Sequence, residues 1–505
     1  MFLTITLLLS AEMFAQKRPN ILLIVSDDHA YQAISSYGSK LMETPSIDRI
    51  ANEGVRFNKA YVTNSICGPS RAVILTSKYS HKNGFRDNIN PRFDSTQNTF
   101  IKELAKTGYQ TAWIGKWHLG SQPQGFSFWK ILPGQGSYYN PDFLTMDGGR
   151  VRQEGYVTNI VQDEAEKWLN TRDTSKPFCL VIGHKNTHRT WMPDIQDLRR
   201  FDSQEFPLPV NFYDDYNGRA AAQVQDMSIE KTMLLDYDLK MYEDSSKMLD
   251  HGFFKRMTPA QRQAMLDYYR PVYDDFKNRK LKGQALTEWK YQRYMRDYLA
   301  TSVSLDRNIG RALDYLDKNG LAENTLVIYI SDQGFYLGEH GWFDKRFMYE
   351  ESFRTPFLMR FPGKVQPGIV NDNAVMNLDL GPTILQAAGV KVPPDMQGES
   401  ILPLVTGSHA KGREAVYYHY YENGEHAVSP HFGVSNGRYK LIRFYKRVES
   451  WELFDLQYDP KEEDNVINDR HYKRIRRKME KELNRQIKKY EDTDAIQVLK
   501  AAGEW

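Results

Sequence analysis

The stretch NILLIVSDD, residues 20–28, decides the fold, because an uninterrupted apolar run ends directly in two carboxylates. A run without polar alternation is typical of a strand buried on both faces, as at the centre of a parallel sheet. Three more segments share this form: 325–331 before Asp332-Gln333, 178–183 before His184, and 111–115 before Lys116. Ligands bind at the carboxyl edge of open parallel α/β sheets. The sequence therefore predicts an α/β fold with a polar site at that edge.

Length and composition narrow the class of protein. The 505 residues suggest one large α/β domain with a smaller one, or several ordinary domains. Lys plus Arg is 67 and Asp plus Glu is 64, so the net charge of +3 gives no argument for a nucleic-acid partner, and none is expected. Two cysteines exclude a disulfide scaffold. Aromatic residues make up 13%, which is common both in carbohydrate-active proteins and in large cores.

The amino-terminal residues favour export. Residues 2–9 are apolar, too few to span a bilayer, which takes ~20 residues. We interpret residues 1–15 as a cleaved signal peptide, which implies a secreted or periplasmic protein; a buried first strand is the alternative. No later stretch is long and apolar enough for a membrane helix, so no stable membrane insertion is expected.

The rest of the chain divides into three regions. Residues 18–400 are predicted to form the catalytic α/β domain, with residues 191–292 as a polar insertion of helices and loops. Residues 401–505 are predicted to form a smaller subdomain with an antiparallel sheet and a terminal helix. Four segments favour strands there: 414–421, 433–435, 439–444 and 452–456. The terminal helix is rich in Lys and Arg, which we interpret as a solvated face rather than a nucleic-acid or membrane surface.

Two strand ends offer oxygen ligands for a metal ion. Asp27, Asp28, Asp332 and Gln333 all carry side-chain oxygen atoms. Without cysteine and histidine spacing of the zinc type, this set favours Ca²⁺ or Mg²⁺. The alternative is that Asp27 and Asp28 only cap the following helix.

The string Cys67-Gly68-Pro69-Ser70-Arg71 is the most informative motif. It precedes the apolar run 72–75, which indicates the start of a helix. A helix amino end, with Arg71 beside it, favours an anion or a thiolate. A lone cysteine is more often a small buried apolar residue. That interpretation suits Cys179, inside an apolar strand, and a Cys67–Cys179 disulfide is rejected because it would disable a nucleophile.

This motif resembles the modification signature of the formylglycine-dependent type I sulfatases, in which the cysteine is oxidised to Cα-formylglycine. Other blocks of that family occur here in the same order, from residue 20 to about residue 440. They are Asp27-Asp28, the GKWHLG string at 115–120, His184 and His188, Asp332-Gln333 with Gln where many members have Asn or His, the GEHG string at 338–341, and Lys345. One departure is Ser77, where the family usually has glycine.

The resemblance implies a fold and a set of roles. The fold would be alkaline-phosphatase-like, a mixed and mostly parallel sheet flanked by helices, with a smaller C-terminal α+β domain. The metal would be Ca²⁺ rather than Mg²⁺, and a maturation enzyme would act on Cys67. By the same resemblance, Cys67 as formylglycine would attack sulfur and would ligate the metal together with Asp27, Asp28, Asp332 and Gln333. Arg71 and Lys116 would orient the formylglycine hydrate, and His118 would remove a proton from it. His188 would be the acid that protonates the leaving oxygen, and Lys345 would bind the sulfate.

Two blocks narrow the substrate. Residues 184–191 and 338–351 are most similar to bacterial sulfatases that act on the 6-O-sulfate of N-acetylglucosamine in glycosaminoglycan or mucin breakdown. His184, His419 and His431 are candidate sugar contacts, with ordinary core or surface histidines as the alternative. The predicted enzyme is thus a sulfuric ester hydrolase acting on a sulfated saccharide.

Three other functions stay open. The first is a sulfatase of another sugar linkage, and the second is a phosphoester or phosphonate hydrolase of the same superfamily. The GKWHLG string and Lys345 favour sulfate over phosphate. The third is a non-catalytic glycan-binding protein, which the intact set of nucleophile residues disfavours.

Overall fold

The computed structural model describes residues 18–89, 92–407 and 410–505. The predicted signal peptide, residues 1–15, lies outside the described residues.

The strands of the described residues form three sheets. They are β1 (Asn20–Ser26), β2 (Val55–Phe57), β3 (Ala60–Tyr61), β4 (Gln110–Lys116), β5 (Phe128–Leu132), β6 (Asp142–Thr145), β7 (Arg150–Arg152), β8 (Phe178–Gly183), β9 (Thr325–Ser331), β10 (Phe357–Arg360), β11 (Ile369–Asn371), β12 (Val375–Met376), β13 (Val416–Tyr420), β14 (His431–Ser435), β15 (Tyr439–Phe444) and β16 (Ser450–Asp455).

The α-helices lie on the sheet faces, in the insertion and at the C-terminal end. They are α1 (Pro45–Asn52), α2 (Cys67–Thr76), α3 (Ser80–Asn83), α4 (Phe100–Lys106), α5 (Val157–Thr171), α6 (Ala220–Val224), α7 (Ser245–Asp250), α8 (Gly252–Lys255), α9 (Pro259–Arg279), α10 (Gly283–Lys318), α11 (Glu350–Phe353), α12 (Leu380–Ala387), α13 (Lys473–Tyr490) and α14 (Thr493–Ala501).

The large sheet has ten strands in the order β11-β2-β10-β9-β1-β8-β4-β5-β6-β7. Its central strands β9, β1, β8, β4 and β5 all run parallel. Towards the two edges, β10 and β6 pair antiparallel with their inner neighbours. The four strands predicted from apolar runs are therefore the centre of the sheet. The predicted architecture, a mixed and mostly parallel sheet flanked by helices, is confirmed.

Alternate residues of β1 supply two separate cores. Leu22 and Ile24 pack in the core that includes residues of α1, α5 and α10. Ile21, Leu23 and Val25 pack in the core that includes residues of α2, α4 and α12. A strand with both faces covered in this way must be apolar throughout. Polar side chains appear only where β1 ends, which places them at the carboxyl edge of the sheet.

The region 191–292 and the C-terminal region differ in their secondary structure. Between residues 191 and 292 the described structure consists of helices and loops, ending in the first turns of α10. The third sheet, β13-β14-β15-β16, is antiparallel throughout, and α13 packs against it. A further helix, α14, follows α13 and was not predicted. Among the described residues, no helix has both the length and the apolarity needed to cross a bilayer.

Candidate active site

Two neighbouring strands deliver the carboxylates. Ser26 of β1 lies beside Ser331 of β9, so the residues that follow, Asp27 and Asp332, emerge next to each other. The backbone N–H of Asp28 donates to Asp332 Oδ1 at 3.2 Å. Asp27, Asp28, Asp332 and Gln333 are all fully buried.

Cys67 is the first residue of α2 and reaches the same cluster. Gln333 Nε2 lies 3.5 Å from Cys67 Sγ and 2.5 Å from Asp28 Oδ1. One potential ligand atom from each of Asp27, Asp28, Cys67 and His188 lies within 4.8 Å of the others. The helix start, the two strand ends and the loop after β8 thus meet at one point.

Three cations neutralise the three carboxylates. Arg71 Nε donates to Asp332 Oδ2 at 2.9 Å, and its Nη1 donates to the Lys116 carbonyl oxygen at 3.0 Å. Lys345 Nζ donates to Asp28 Oδ2 at 2.7 Å, and Lys116 donates to Asp27. Each side chain is buried, so each pair is a buried ion pair that depends on its partner being present.

The carboxyl groups respond differently to this environment. Burial, reinforced by the charge of Asp27, raises the pKa of Asp332 to about 7. Burial also raises the pKa of Asp28, although Lys345 opposes that shift. For Asp27 burial acts in the same direction, but the charges of Lys116, Arg71 and Lys345 together hold its pKa well below the usual range. Carboxyl groups that compete for negative charge in one buried cluster are stabilised by a divalent cation.

The site residues fit such a cation. Asp27 Oδ1 and Gln333 Oε1 are buried oxygen atoms that accept no hydrogen bond from any described residue. Oxygen atoms without donors are suitable ligands for a hard cation, and buried oxygen atoms rarely stay unpaired otherwise. The alternative, that Asp27 and Asp28 serve only as a helix cap, does not account for these unpaired atoms.

Cys67 itself is not an activated thiolate. Burial, and then the charge of Asp27, raise the pKa of its thiol well above the usual range. This differs from the expectation that the helix start and Arg71 would favour a thiolate, because burial and the nearby carboxylates outweigh them. An unmodified Cys67 is a neutral thiol at neutral pH and a poor nucleophile.

Two histidines lie half-buried beside the cluster. Burial, followed by the charge of Lys116, lowers the pKa of both His118 and His188 well below the usual range. His188 Nδ1 lies 2.6 Å from the Arg189 carbonyl oxygen, whereas His118 Nδ1 is buried without a hydrogen-bond partner among the described residues. Both rings are therefore neutral at neutral pH in the unliganded protein.

This geometry agrees with the comparisons with known proteins. Residues 19–390 match the family model for sulfatase, and residues 338–489 match the model for the C-terminal part of N-sulphoglucosamine sulphohydrolase. The chain belongs to the sulfatase family. The predicted family and the predicted class, a sulfuric ester hydrolase, are confirmed.

Individual relatives extend the match over nearly all of this sulfatase. The N-acetylglucosamine-6-O-sulfatase of Bacteroides thetaiotaomicron is 47% identical over 492 residues, which cover 95% of this chain and 88% of that protein. A related protein, solved in complex with that protein's own substrate, D-glucosamine-2-N,6-O-disulfate, is 47% identical to this chain with a TM-score of 0.92. The match covers 95% of this chain and 99% of that one. The phosphonate monoester hydrolase of Agrobacterium radiobacter shares the fold alone. It is 18% identical with a TM-score of 0.67, and the match covers 94% of this chain and 96% of that one.

Two of the three candidate sugar contacts lie elsewhere in the sulfatase. His419 is fully buried in β13, where Nδ1 lies 2.7 Å from Asp492 Oδ2 and Nε2 lies 2.9 Å from Tyr445 Oη. His431 is fully buried in β14 and is bonded through one nitrogen to the backbone N–H of Met348 and through the other to a carbonyl oxygen. With both ring nitrogens occupied, neither histidine has a polar atom left for a sugar. The expectation that they contact sugar is therefore corrected: both are core histidines of the third sheet.

His184 is a different case. It is buried at the end of β8, and neither ring nitrogen has a hydrogen-bond partner among the described residues. Burial alone lowers its pKa to about 3, whereas the pKa of His188 also responds to the charge of Lys116. The cluster of carboxylates therefore includes His188 but not the ring of His184.

Several residues at the site carried no predicted role. Lys185, which lies between His184 and His188 along the chain, is buried, and its Nζ is 4.8 Å from the centre of the Tyr138 ring. Asp344 and Arg346 flank Lys345, and Asp344 also pairs with His426 Nε2 at 2.8 Å. Positive backbone φ angles at Asp344 and Arg346 mark this loop as strained. The sequence feature that could have indicated these residues is the high density of charged residues around His188 and Lys345.

Replacement of His419 by alanine tests the corrected assignment. We expect His419→Ala to lower the free energy of unfolding by about 1–3 kcal/mol, because the buried carboxylate of Asp492 would lose one of its hydrogen-bond partners. The KM for a saccharide substrate should not change. Thermal or urea unfolding and steady-state kinetics measure the two effects. His471→Ala, at an exposed histidine that pairs with Asp469, is the matched control and should change neither. A raised KM with unchanged stability in His419→Ala would restore the sugar-contact assignment.

Proposed function

We propose that this sulfatase removes the 6-O-sulfate of N-acetylglucosamine in glycosaminoglycan or mucin fragments. The observation that carries the proposal is the 47% identity to an N-acetylglucosamine-6-O-sulfatase, which extends over 95% of the chain and includes the whole cluster around Cys67. The solved relative with D-glucosamine-2-N,6-O-disulfate supports the same class of substrate, a 6-O-sulfated glucosamine.

We further propose that Cys67 is converted to formylglycine and that the cation is Ca²⁺ rather than Mg²⁺. The neutral, buried thiol supports the first point, because it needs conversion before it can act as a nucleophile. When present, formylglycine would supply the nucleophilic oxygen and the cation would supply positive charge beside the sulfate. Asp27, Asp28, Asp332 and Gln333 would hold the cation, together with residue 67. The preference for Ca²⁺ rests on the resemblance to the family.

The protein's own residues would bind and orient the ester. A sulfate ester carries one negative charge and must release an alkoxide, so catalysis depends on cations placed around its oxygen atoms. Arg71 and Lys116 are the residues proposed to orient residue 67. The two are linked by a hydrogen bond from the Arg71 guanidinium group to the Lys116 carbonyl oxygen. Lys345, which is paired with Asp28, is the proposed sulfate ligand. His118 and His188, half-buried beside the cluster, are the proposed proton carriers, His118 for residue 67 and His188 for the leaving oxygen.

Export and maturation complete the proposal. The apolar segment at residues 2–9 supports secretion or a periplasmic location after signal cleavage. A sulfatase-maturing enzyme is the proposed partner that acts on Cys67, before α2 closes the residue into the buried cluster where it is 1% exposed.

Sulfate release from a panel of sulfated sugars tests the substrate. We expect turnover of 6-O-sulfo-N-acetylglucosamine and little or none of its 3-O- and N-sulfated analogues or of 4-O-sulfo-N-acetylgalactosamine. The tryptic peptide that holds residue 67 is weighed in the same preparation, and the bound metal is measured by elemental analysis. Turnover of another sugar in the panel would replace the proposed linkage.

The alternatives give different outcomes in the same preparation. Nitrophenyl phosphate turned over faster than nitrophenyl sulfate would indicate a phosphoesterase, the activity class for which the shared fold gives a precedent. Binding of sulfated sugar without turnover, with formylglycine present by mass, would indicate a glycan-binding protein.

A further inference from the structure

Within the part of the chain that the structure describes, Lys185 is a cation of the active site without an anionic partner. Arg71, Lys116 and Lys345 are each paired with a carboxylate. Lys185 is only 4% exposed, yet its ammonium group forms no hydrogen bond or ion pair with any residue in the described ranges. Its one polar contact is with the face of the Tyr138 ring, 4.8 Å from the ring centre. A buried ammonium group without an anion costs free energy, and an anionic ligand in the pocket would offset that cost.

The backbone places Lys185 against the proposed leaving-group side of the site. The His188 N–H donates to the Lys185 carbonyl oxygen at 3.0 Å, so the two residues share one turn after β8. The Lys185 ammonium group lies over the ring of Tyr138, and the Tyr138 hydroxyl donates a hydrogen bond to the His188 carbonyl oxygen at 2.5 Å. Lys116, Asp27 and Asp28 are close enough for their charges to act on Lys185. Lys185 therefore lies near the carboxylate cluster and on the same turn as His188.

His188 alone is a poor source of the proton that the leaving oxygen needs. A carbonyl oxygen only accepts hydrogen bonds, so His188 Nδ1 must carry the proton in its contact with Arg189. In the neutral ring Nε2 then has a lone pair and no proton to donate. Lys185 carries protons on a group without other partners, and burial, followed by the charge of Lys116, lowers its pKa to about 7, a value suited to proton transfer at neutral pH.

We propose that Lys185 donates a hydrogen bond, and then a proton, to the sugar oxygen as its bond to sulfur breaks. The nucleophilic oxygen of converted residue 67 would bond to sulfur as the bond from sulfur to the sugar oxygen breaks. The electron pair of the broken bond passes to the sugar oxygen, and a proton of the ammonium group completes the new hydroxyl. The neutral amine then regains a proton from the solvent. This inference rests on the proposed sulfatase chemistry, and it moves the final proton donor from His188, which the resemblance implies, to Lys185, a residue of the 184–191 block to which the resemblance assigns no role.

The test compares two leaving groups in Lys185→Gln. We expect kcat for 6-O-sulfo-N-acetylglucosamine to fall about 100-fold, the scale of a lost general acid, and Lys185→Arg not to restore it, because a guanidinium group does not release a proton. Turnover of nitrophenyl sulfate should fall by no more than about threefold, because nitrophenolate leaves without a proton. Rates are expressed per formylglycine-containing enzyme, measured by peptide mass. Lys130→Gln is the matched control: Lys130 is also buried over an aromatic ring, that of Phe143, but it is paired with Glu164 outside the site.

Each outcome bears on the inference. An equal loss on both substrates would overturn it, since Lys185 would then act on the sulfate group as a whole, and no loss on either would overturn it as well. If Lys185→Gln does not fold, Lys185→Met keeps the contact with Tyr138 and gives the same comparison. If the wild-type enzyme cleaves nitrophenyl sulfate but not 6-O-sulfo-N-acetylglucosamine, the proposed substrate fails, and Lys185 is tested on the sulfated sugar that is cleaved.

Discussion

Replacement of Cys67 by alanine is expected to abolish sulfate release. The loss should be at least about 10⁴-fold in kcat, the scale found when a covalent nucleophile is removed from an enzyme. The fold should survive, because alanine is compatible with the first position of α2 and the ion pairs around the cluster do not include the sulfur atom. The measurement is sulfate release from nitrophenyl sulfate and 6-O-sulfo-N-acetylglucosamine, with circular dichroism to confirm the fold.

The other cysteine provides the control for this experiment. Cys179 is also fully buried, but it lies in β8 and packs in the core on one face of the sheet. Cys179→Ala should cost about 1 kcal/mol of stability and leave kcat unchanged. Comparable turnover in Cys67→Ala and the wild type would show that the nucleophile is another group and would refute the proposed mechanism.

Asp332→Ala is expected to remove both the metal and the activity. Asp332 is the carboxylate that follows β9, and its loss removes an oxygen ligand and also the partner of Arg71. We expect metal affinity to fall at least about 100-fold, more than the loss seen when only a supporting residue of a metal site is changed. Turnover should fall with it. Elemental analysis after dialysis and sulfate release with added Ca²⁺ measure the two effects.

Asp379→Ala separates this effect from a general loss of stability. Asp379 is likewise fully buried and paired with a buried arginine, Arg413, but it precedes α12 away from the cluster. Both variants leave an arginine without its main partner and should be destabilised by about 3–5 kcal/mol. Only Asp332→Ala should lose the metal. Full metal content in folded Asp332→Ala would place the cation elsewhere.

The centre of the fold was predictable because its signal is local. Three of the apolar runs, Asn20–Ser26, Phe178–Gly183 and Thr325–Ser331, are strands with the predicted bounds, and the strand predicted at 111–115 extends by one residue at each end. A strand buried on both faces must be apolar at every position, so its ends are visible in the sequence. The edge of the sheet was not predicted. Strand β10 enters antiparallel between β2 and β9, and nothing in its four residues specifies that neighbour.

The site divides in the same way. Asp27 and Asp332 were predictable as neighbours because each directly follows a central strand, and β1 and β9 are adjacent. The histidines were not predictable to the same degree. His188 reaches the cluster, whereas His419 and His431 are used inside the third sheet. Which of them is used depends on partners such as Asp492 and Met348, which lie 73 and 83 residues away along the chain.

The sequence by itself determined the parallel core, the polar residues at its carboxyl edge, and the family. Short contiguous segments are enough to show which strands are buried and which polar residues follow them. Only the tertiary structure decided how the charges of the site are paired. Arg71, Lys116 and Lys345 each find a carboxylate, and Lys185 does not. Pairing of this kind depends on distances between side chains from separate strands and loops. Burial then increases both the interaction energy of a paired charge and the free-energy cost of an unpaired one.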